Sequence, residues 1–461
     1  MDNVFDFRNR LISEYSSFSR SFSKVSAQDI LSKVEQEYDR GRYWPEPLIQ
    51  INPNYKRQST VQQLAHEGML HASCSHIFQT GKTEGKAADL HLYVHQLQAL
   101  AKAQKQQSYV VTTGTGSGKS LAFFVPIIDR ILKAKAADPQ KRTRAIVIYP
   151  MNALANSQLE ELDKFLHGYP DDQKPFTVAR YTGQESDADR KQIADNPPDI
   201  LLTNFMMLEL ILTRFEDVDR RVVEHCQGLE FLVLDELHTY RGRQGADVAL
   251  LVRRLRERLQ AHQLVCIGTS ATMSSTGTQA DRNQTVASVA SLLFGAQITE
   301  HDVIGETLER VTNPAKNIQA VKSFLKPALL KERHQWPDFA AFSDDPLAVW
   351  VELSLGIELP VDEPPRRARP ITLGDAARRL ADDAQCTLEE ASAGLQRFLV
   401  AAHDVKTPQG RAPFAFKLHQ FISGPGKVLA TLEPEGVRHI TLDAQRYAPG
   451  RQDEGTQLYP V

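Results

Sequence analysis

The most chemically distinctive segment of the chain is SYVVTTGTGSGKS, residues 108–120. An apolar run, a glycine-rich turn and a lysine–serine pair follow one another, which is the strand–loop–helix order of a phosphate-binding loop. Its backbone amides would hold phosphate oxygens, Lys119 would reach the β- and γ-phosphates, and Ser120 would ligate Mg²⁺. The turn itself consists of Thr113, Gly114, Thr115, Gly116, Ser117 and Gly118. Because the motif starts with threonine instead of glycine, a turn that merely precedes a packed helix remains the alternative.

Polar residues with matching chemistry follow two later apolar runs. FLVLDE (231–236) ends in an acidic pair. Asp235 is predicted to hold Mg²⁺ through water, and Glu236 to orient and deprotonate the water that attacks the γ-phosphate. The alternative is a solvated strand end with two acids. His238 is placed to sense this site.

LVCIGTSA (264–271) is followed by further hydroxyl groups. Ser270 and Thr272 are predicted to hydrogen-bond the acidic motif and to relay the state of the nucleotide. Gln96 lies on a predicted helix over 89–103, shortly before the phosphate-binding loop. Its amide can pair with the adenine edge and select ATP over GTP, or it is an ordinary polar helix residue.

A parallel β-sheet is the element that positions these residues. Near-continuous apolar runs at 144–150, 199–204, 231–236 and 264–271, with a weaker one at 176–183, alternate with helical segments. This pattern is typical of a parallel sheet covered by helices on both faces. The polar groups then meet at the carboxyl ends of the strands. The predicted fold class is α/β.

Composition limits the remaining possibilities. The chain has 461 residues, enough for two or three domains, and its net charge of −3 leaves room for a locally basic groove. Four scattered cysteines predict neither a disulfide framework nor a complete zinc site. His66, His71, Cys74 and His76 lie close together but fit no zinc spacing. Without a signal peptide or a long apolar span, a soluble, cytoplasmic protein with no membrane contact is expected.

TTGTGSGKS, DELH and TSAT, in this order, resemble the first RecA-like lobe of superfamily 2 DEAD/DEAH-box helicases. In that family the loop often begins with alanine or threonine, as Thr113 does here. DELHTYRGRQGADVALLVRRL and LHQFISGPGKVLATLEPE resemble a bacterial subgroup of large helicases in DNA repair and antiphage defence, with a C-terminal zinc-binding domain of unknown function. The resemblance implies ATP and Mg²⁺ as cofactors, DNA as a partner, and defence or repair proteins as further partners.

The same resemblance assigns residues to the nucleic-acid backbone. YPMNALANSQ, YTGQ and LLTNFMMLE match the family's backbone-gripping segments. The implied contacts are Asn152, Thr182, Gly183, Asn204 and Arg241. Such side chains and amides bind phosphates without reading bases, so the binding is expected to be sequence-independent and salt-sensitive. For each residue, an ordinary loop or helix-cap role remains the alternative.

The chain is predicted to comprise an N-terminal accessory region (1–88), the RecA-like lobe (89–300), a helical segment with a proline-rich linker (301–370) and an α+β accessory domain (371–461). That last domain is either winged-helix-like or a scaffold. No Q-x-x-G-R-x-G-R segment occurs, so the arginine fingers of a second lobe are expected outside this chain, as in the N-terminal part of a larger helicase, and the chain alone is expected to hydrolyse ATP weakly. The predicted function is an ATP-dependent helicase or translocase. The alternative is an ATP-gated binding or scaffold subunit that does not unwind.

Overall fold

The computed structural model describes residues 3–21, 26–114, 116–271, 278–360, 363–423 and 427–461. The chain contacts cluster into two units, Tyr55–Thr307 and a second made of Met1–Asn54 with Leu308–Val461. The four-part division into 1–88, 89–300, 301–370 and 371–461 stays a prediction. Among the described residues, no helix is long and apolar enough to cross a membrane.

The unit Tyr55–Thr307 is built on a seven-stranded sheet in which every neighbouring pair of strands is parallel. The strands are β1 (Tyr109–Thr112), β2 (Ala145–Tyr149), β3 (Val178–Tyr181), β4 (Ile200–Asn204), β5 (Phe231–Leu234), β6 (Val265–Ser270) and β7 (Val303–Gly305). Their spatial order is β7-β1-β6-β5-β2-β4-β3. This doubly covered parallel sheet confirms the predicted α/β, RecA-like fold class.

Helices cover both faces of this sheet. They are α1 (Val61–His66), α2 (Cys74–Ile77), α3 (Val94–Gln104), α4 (Leu121–Ala137), α5 (Asn152–Leu166), α6 (Asp187–Asp195), α7 (Phe205–Thr213), α8 (Asp217–Glu224), α9 (Gly242–Arg258) and α10 (Gln279–Phe294). Alternate residues of one strand enter different cores: Val147 packs in one, Ile146 and Ile148 in the other. Because both faces are buried, the strands carry continuous apolar runs, which made six of the seven predictable.

The seventh strand, β7, lies outside the predicted runs. It contains only three residues, one of them glycine, and pairs with β1 at the edge of the sheet. Two short antiparallel pairs also belong to this unit: Arg57–Thr60 with His91–Tyr93, and Gln79–Thr80 with Ala88–Asp89. The helix predicted from residue 89 therefore begins at Val94, because the residues before it form a strand.

The other unit is a mixed α and β structure. Its helices are Val4–Ser21, Gln28–Asp39, Ile318–Leu329, Phe339–Ser343, Pro346–Val351, Leu373–Ala384 and Leu388–His403, with a π-helical turn at Glu352–Gly356. Short strands pair Ile357–Glu358 with Arg366–Arg367, and Leu429–Ala430 with both Ile440–Thr441 and Tyr459–Pro460. Leu308–Glu309 is a further two-residue strand, and Asn54–Tyr55 spans the boundary between the units in the chain.

One three-stranded antiparallel sheet of this unit bears on the winged-helix prediction. Strand Ile371–Thr372 leads into the two helices, and strand Ala415–His419 follows them. The central strand between these two is Leu48–Asn52, from the N-terminal segment. The strand after the helices therefore pairs with a distant segment instead of forming a hairpin with the residues that follow it. A winged-helix-like role stays a prediction.

Candidate functional site

The phosphate-binding loop joins the end of β1 to the start of α4. Gly116 and Gly118 adopt left-handed φ values of 79° and 66°. A Cβ at Gly118 would lie 2.7 Å from Gln96 Nε2, so a larger residue there would displace the Gln96 amide. Thr113 Oγ1 and Ser117 Oγ are 2.6 Å apart, and this hydrogen bond between two loop residues stabilises the loop. Thr115 lies outside the described residues.

Gln96 holds this loop from α3. Its Nε2 donates to the Gly118 carbonyl oxygen at 2.8 Å, and its Oε1 accepts the N–H of Tyr93 at 2.8 Å. The side chain is buried. The contact of Gln96 with adenine stays a prediction. The hydrogen bonds in the structure show that Gln96 holds the loop in its conformation.

The predicted catalytic residues meet at the carboxyl ends of β1, β5 and β6. Lys119 Nζ lies 3.1 Å from Glu236 Oε1. Glu236 Oε2 lies 3.2 Å from His238 Nδ1, which in turn lies 3.2 Å from Ser270 Oγ. The lysine, the acid, the histidine and the first serine of TSAT thus form one continuous chain of contacts. Thr272 lies outside the described residues.

Asp235 is held by a residue that the sequence analysis did not single out. Thr269 Oγ1 donates to an Asp235 carboxylate oxygen and accepts the N–H of Glu236 at 3.1 Å. Burial raises the pKa of Asp235, and the Thr269 hydroxyl works against that rise. The available signal was the position of Thr269, one residue before Ser270 on the same strand.

The site fits a nucleoside triphosphate with Mg²⁺. Glu236 Oε2 lies near the His238 ring but makes no hydrogen bond among the described residues, and the Ser120 hydroxyl makes no cap bond at the start of α4. Lys119 keeps 13% of its side chain exposed beside the loop amides. Amides, an ammonium group, a hydroxyl and two carboxylates at one strand edge are the donor set that a phosphate chain and a hard cation need.

Four of the five predicted nucleic-acid residues form a second cluster, at the ends of β3 and β4 and the start of α5. Asn204 Nδ2 donates to Asn152 Oδ1 at 2.7 Å and to the Thr182 carbonyl oxygen at 3.1 Å. Asn204 Oδ1 accepts the N–H of Met207 at 2.7 Å and so caps α7. Gly183 follows Thr182 with a φ of 89°. The fifth residue, Arg241, is exposed and is the N-cap of α9.

Glu185 organises this cluster and was missed from the sequence. Its carboxylate accepts the N–H groups of Thr182 and Gly183 at 2.7 and 2.9 Å, and the Thr182 hydroxyl at 3.0 Å. Arg180 Nε donates to it at 2.6 Å. Burial disfavours the ionised form of Glu185, but these donors outweigh burial and lower its pKa. Its position within a charged loop gave no signal of this role.

The family comparison agrees with this geometry. The model of the DEAD/DEAH box helicase family matches residues 93–280. Residues 93–280 form a DEAD/DEAH box helicase domain. The matched range contains both clusters described above.

Curated relatives match part of this chain and a smaller part of their own length. An ATP-dependent helicase of Bacillus subtilis (strain 168), YprA, is 34% identical over 186 residues, covering 40% of this chain and 23% of its own. The Lhr helicase/uracil glycosylase of Escherichia coli (strain K12) is 32% identical over 186 residues, covering 38% of this chain and 12% of its own. The chain therefore spans less than a quarter of the length of these two relatives.

Among solved structures, the DUF1998 helicase MrfA bound to DNA aligns with 65% of this chain and 37% of its own, at 23% identity and a TM-score of 0.42.

Proposed function

We propose that this helicase domain hydrolyses ATP to drive movement along a nucleic acid, and that the nucleic acid is DNA. The observation that carries the proposal is the contact chain from Lys119 through Glu236 and His238 to Ser270. A lysine of the phosphate-binding loop, an acidic strand end and a coupling serine have no structural need to meet at one point. A nucleotide-hydrolysing site does need them together.

In this proposal Ser120 and Asp235 would hold Mg²⁺, which would supply positive charge beside the β- and γ-phosphates. Lys119 exchanges its bond with Glu236 for one with the phosphates. Glu236 is then free to orient the attacking water and take its proton. His238 and Ser270 are positioned to report this change to neighbouring segments.

The Asn152–Thr182–Asn204 cluster is the proposed contact with the nucleic-acid backbone. Short polar side chains of this kind bind phosphate and sugar without reading sequence, and the Thr182 and Gly183 amides would exchange their bonds with Glu185 for bonds with phosphate. Met151 immediately precedes Asn152, and Met206 lies two residues after Asn204; they are 60% and 57% exposed and can pack against sugars. The proposal of DNA rests on the name of the Escherichia coli relative, which pairs a helicase with a uracil glycosylase.

The ATP half of the proposal is tested by titrating the 461-residue chain with a fluorescent ATP analogue and Mg²⁺. We expect Lys119→Ala to weaken binding at least tenfold. Lys105→Ala is the matched control, because Lys105 is exposed at the end of α3. Equal affinities for the two variants would contradict the assignment of the loop.

The nucleic-acid half is tested by fluorescence anisotropy with single-stranded DNA and with RNA of the same sequence. We expect DNA to bind without sequence preference and to weaken steeply with added salt. Tighter binding of RNA than of DNA would contradict the choice of DNA. Salt-independent binding would contradict a backbone contact.

A further inference from the structure

His95 is a fully buried histidine with no role in the proposal above. It precedes Gln96 on α3, and its side chain is 0% exposed. Its Nε2 lies 3.0 Å from the carbonyl oxygen of Ser117, inside the phosphate-binding loop. A carbonyl oxygen only accepts hydrogen bonds, so Nε2 carries the hydrogen and the ring is the Nε2–H tautomer.

The other ring nitrogen supports the same assignment. Nδ1 is buried and makes no hydrogen bond within the described part of the chain. A proton there would be an unpaired buried donor, which is costly. Burial also lowers the pKa of His95, which keeps the ring neutral.

Two tyrosines fix the direction in which the ring points. Tyr93 stacks on it with ring centroids 5.6 Å apart and planes 21° apart. Tyr55 meets it at 68°, with centroids 5.8 Å apart. The imidazole is therefore held in place, and its N–H is aimed at Ser117 before any ligand binds.

His95 and Gln96 together hold two consecutive carbonyl groups, those of Ser117 and Gly118. In a planar trans peptide, the C=O of one residue and the N–H of the next point in opposite directions. Holding the Ser117 carbonyl toward α3 therefore turns the N–H of Gly118 away from α3. The Gly118 carbonyl does the same for the N–H of Lys119.

We propose that His95 is a positioning residue of the nucleotide site. Its hydrogen bond holds the Ser117 carbonyl toward α3 and so directs the N–H of Gly118 at the nucleotide phosphates. This inference rests on the proposed ATP site. Because the bond acts on the loop and not on the base, its loss affects ATP, ADP and GTP by the same factor.

The test measures binding of ATP, ADP and GTP to the 461-residue chain with Mg²⁺. His95→Phe keeps a ring between the tyrosines and removes the donor. We expect its affinities to fall by roughly threefold to tenfold, as for one lost hydrogen bond, with the ratio of ATP to GTP unchanged. His95→Gln, which can place an N–H near the position of Nε2, should return to within about twofold of the wild type. His91→Phe is the control, because His91 is exposed four residues earlier.

Two results would overturn the proposal: affinities of His95→Phe within twofold of the wild type, or a loss confined to ATP, which would place His95 in base recognition. Should His95→Phe not fold, long-range ¹H–¹⁵N spectra of the unaltered protein decide. The Nε2–H tautomer of His95 supports the proposal, whereas the Nδ1–H tautomer or the imidazolium at pH 7.5 refutes it. If the wild type binds ATP and Lys119→Ala does not, the ATP site stands and His95 is judged separately.

Discussion

Thr269 supports both acidic residues with a single hydroxyl group, so Thr269→Val is a sharp perturbation of the site. Valine keeps the branched shape and removes both hydrogen bonds. The Asp235 carboxylate then loses a donor, and the amide of Glu236, a residue with a φ of 53°, loses its acceptor. One bond to a charged group and one to a neutral group amount to about 2–4 kcal/mol.

For a unit of this size, that loss corresponds to a fall of about 5–15 °C in the thermal midpoint, measured by circular dichroism. Losing the hydroxyl also raises the pKa of Asp235 further, so protonation relieves part of the cost. The difference in thermal midpoint between Thr269→Val and the wild type should therefore decrease as the pH is lowered from 7.5 toward 5.

Thr269→Ser and Thr203→Val are the matched controls. The first keeps the hydroxyl and loses only a methyl group, so we expect less than half of the effect. The second removes a buried strand hydroxyl that donates to the backbone carbonyl of Tyr181 at 2.6 Å and touches no carboxylate. The reasoning is refuted if Thr269→Val has the same thermal midpoint as the wild type, or if the thermal midpoint of Thr269→Ser is as low as that of Thr269→Val.

Three further predictions concern Asp235, Asn204 and His334. Burial raises the pKa of Asp235 in the folded protein. The protonated Asp235 side chain therefore stabilises the fold below the unfolded pKa of about 3.9, and this stabilisation is lost as the pH rises through the pKa of the folded state. Asp235→Asn should therefore raise the thermal midpoint at pH 7.5 while removing Mg²⁺-dependent ATP binding, and a lowered midpoint would contradict this. Asn204→Ala removes the cap of α7 and the bridge to Asn152; it should cost about 1 kcal/mol in urea unfolding and weaken DNA binding severalfold by anisotropy, and unchanged DNA affinity would count against the cluster. Burial lowers the pKa of His334, so the unfolded chain takes up a proton as the pH falls through about 6.5 and the fold loses stability. The thermal midpoint should fall less between pH 7 and 5.5 in His334→Phe than in the wild type, and equal falls would exclude His334 as the cause.

The sheet was largely predictable because each buried strand carries its own apolar signal. β2 (AIVIY) and β4 (ILLTN) each contain three consecutive Val, Ile or Leu residues, and a helix begins within three residues of the end of each strand. β7 lacks such a signal because it has three residues. The pairing of Leu48–Asn52 with Ala415–His419 was not predictable, because each strand looks ordinary alone and only the folded chain brings them together.

The candidate site shows the same division between local and long-range information. Lys119, Asp235, Glu236 and Ser270 belong to motifs whose order along the chain predicts a common edge. Glu306, which accepts the N–H of Gly114 at 3.1 Å, comes from a segment 192 residues away and has no motif of its own. Supporting residues of this kind hold the motif residues through backbone groups, so their side-chain types alone do not reveal them.

The most direct measurement is steady-state ATP hydrolysis by the 461-residue chain, with and without single-stranded DNA. The proposed function predicts a slow rate for the chain alone, because the arginine fingers are expected outside it, and predicts that DNA raises this rate for the wild type and for Glu224→Gln, an exposed control on α8. It also predicts that Glu236→Gln binds ATP with wild-type affinity but loses the DNA-stimulated rate, because no carboxylate remains to accept the proton of water. Stimulated hydrolysis by Glu236→Gln at the wild-type rate would contradict the account.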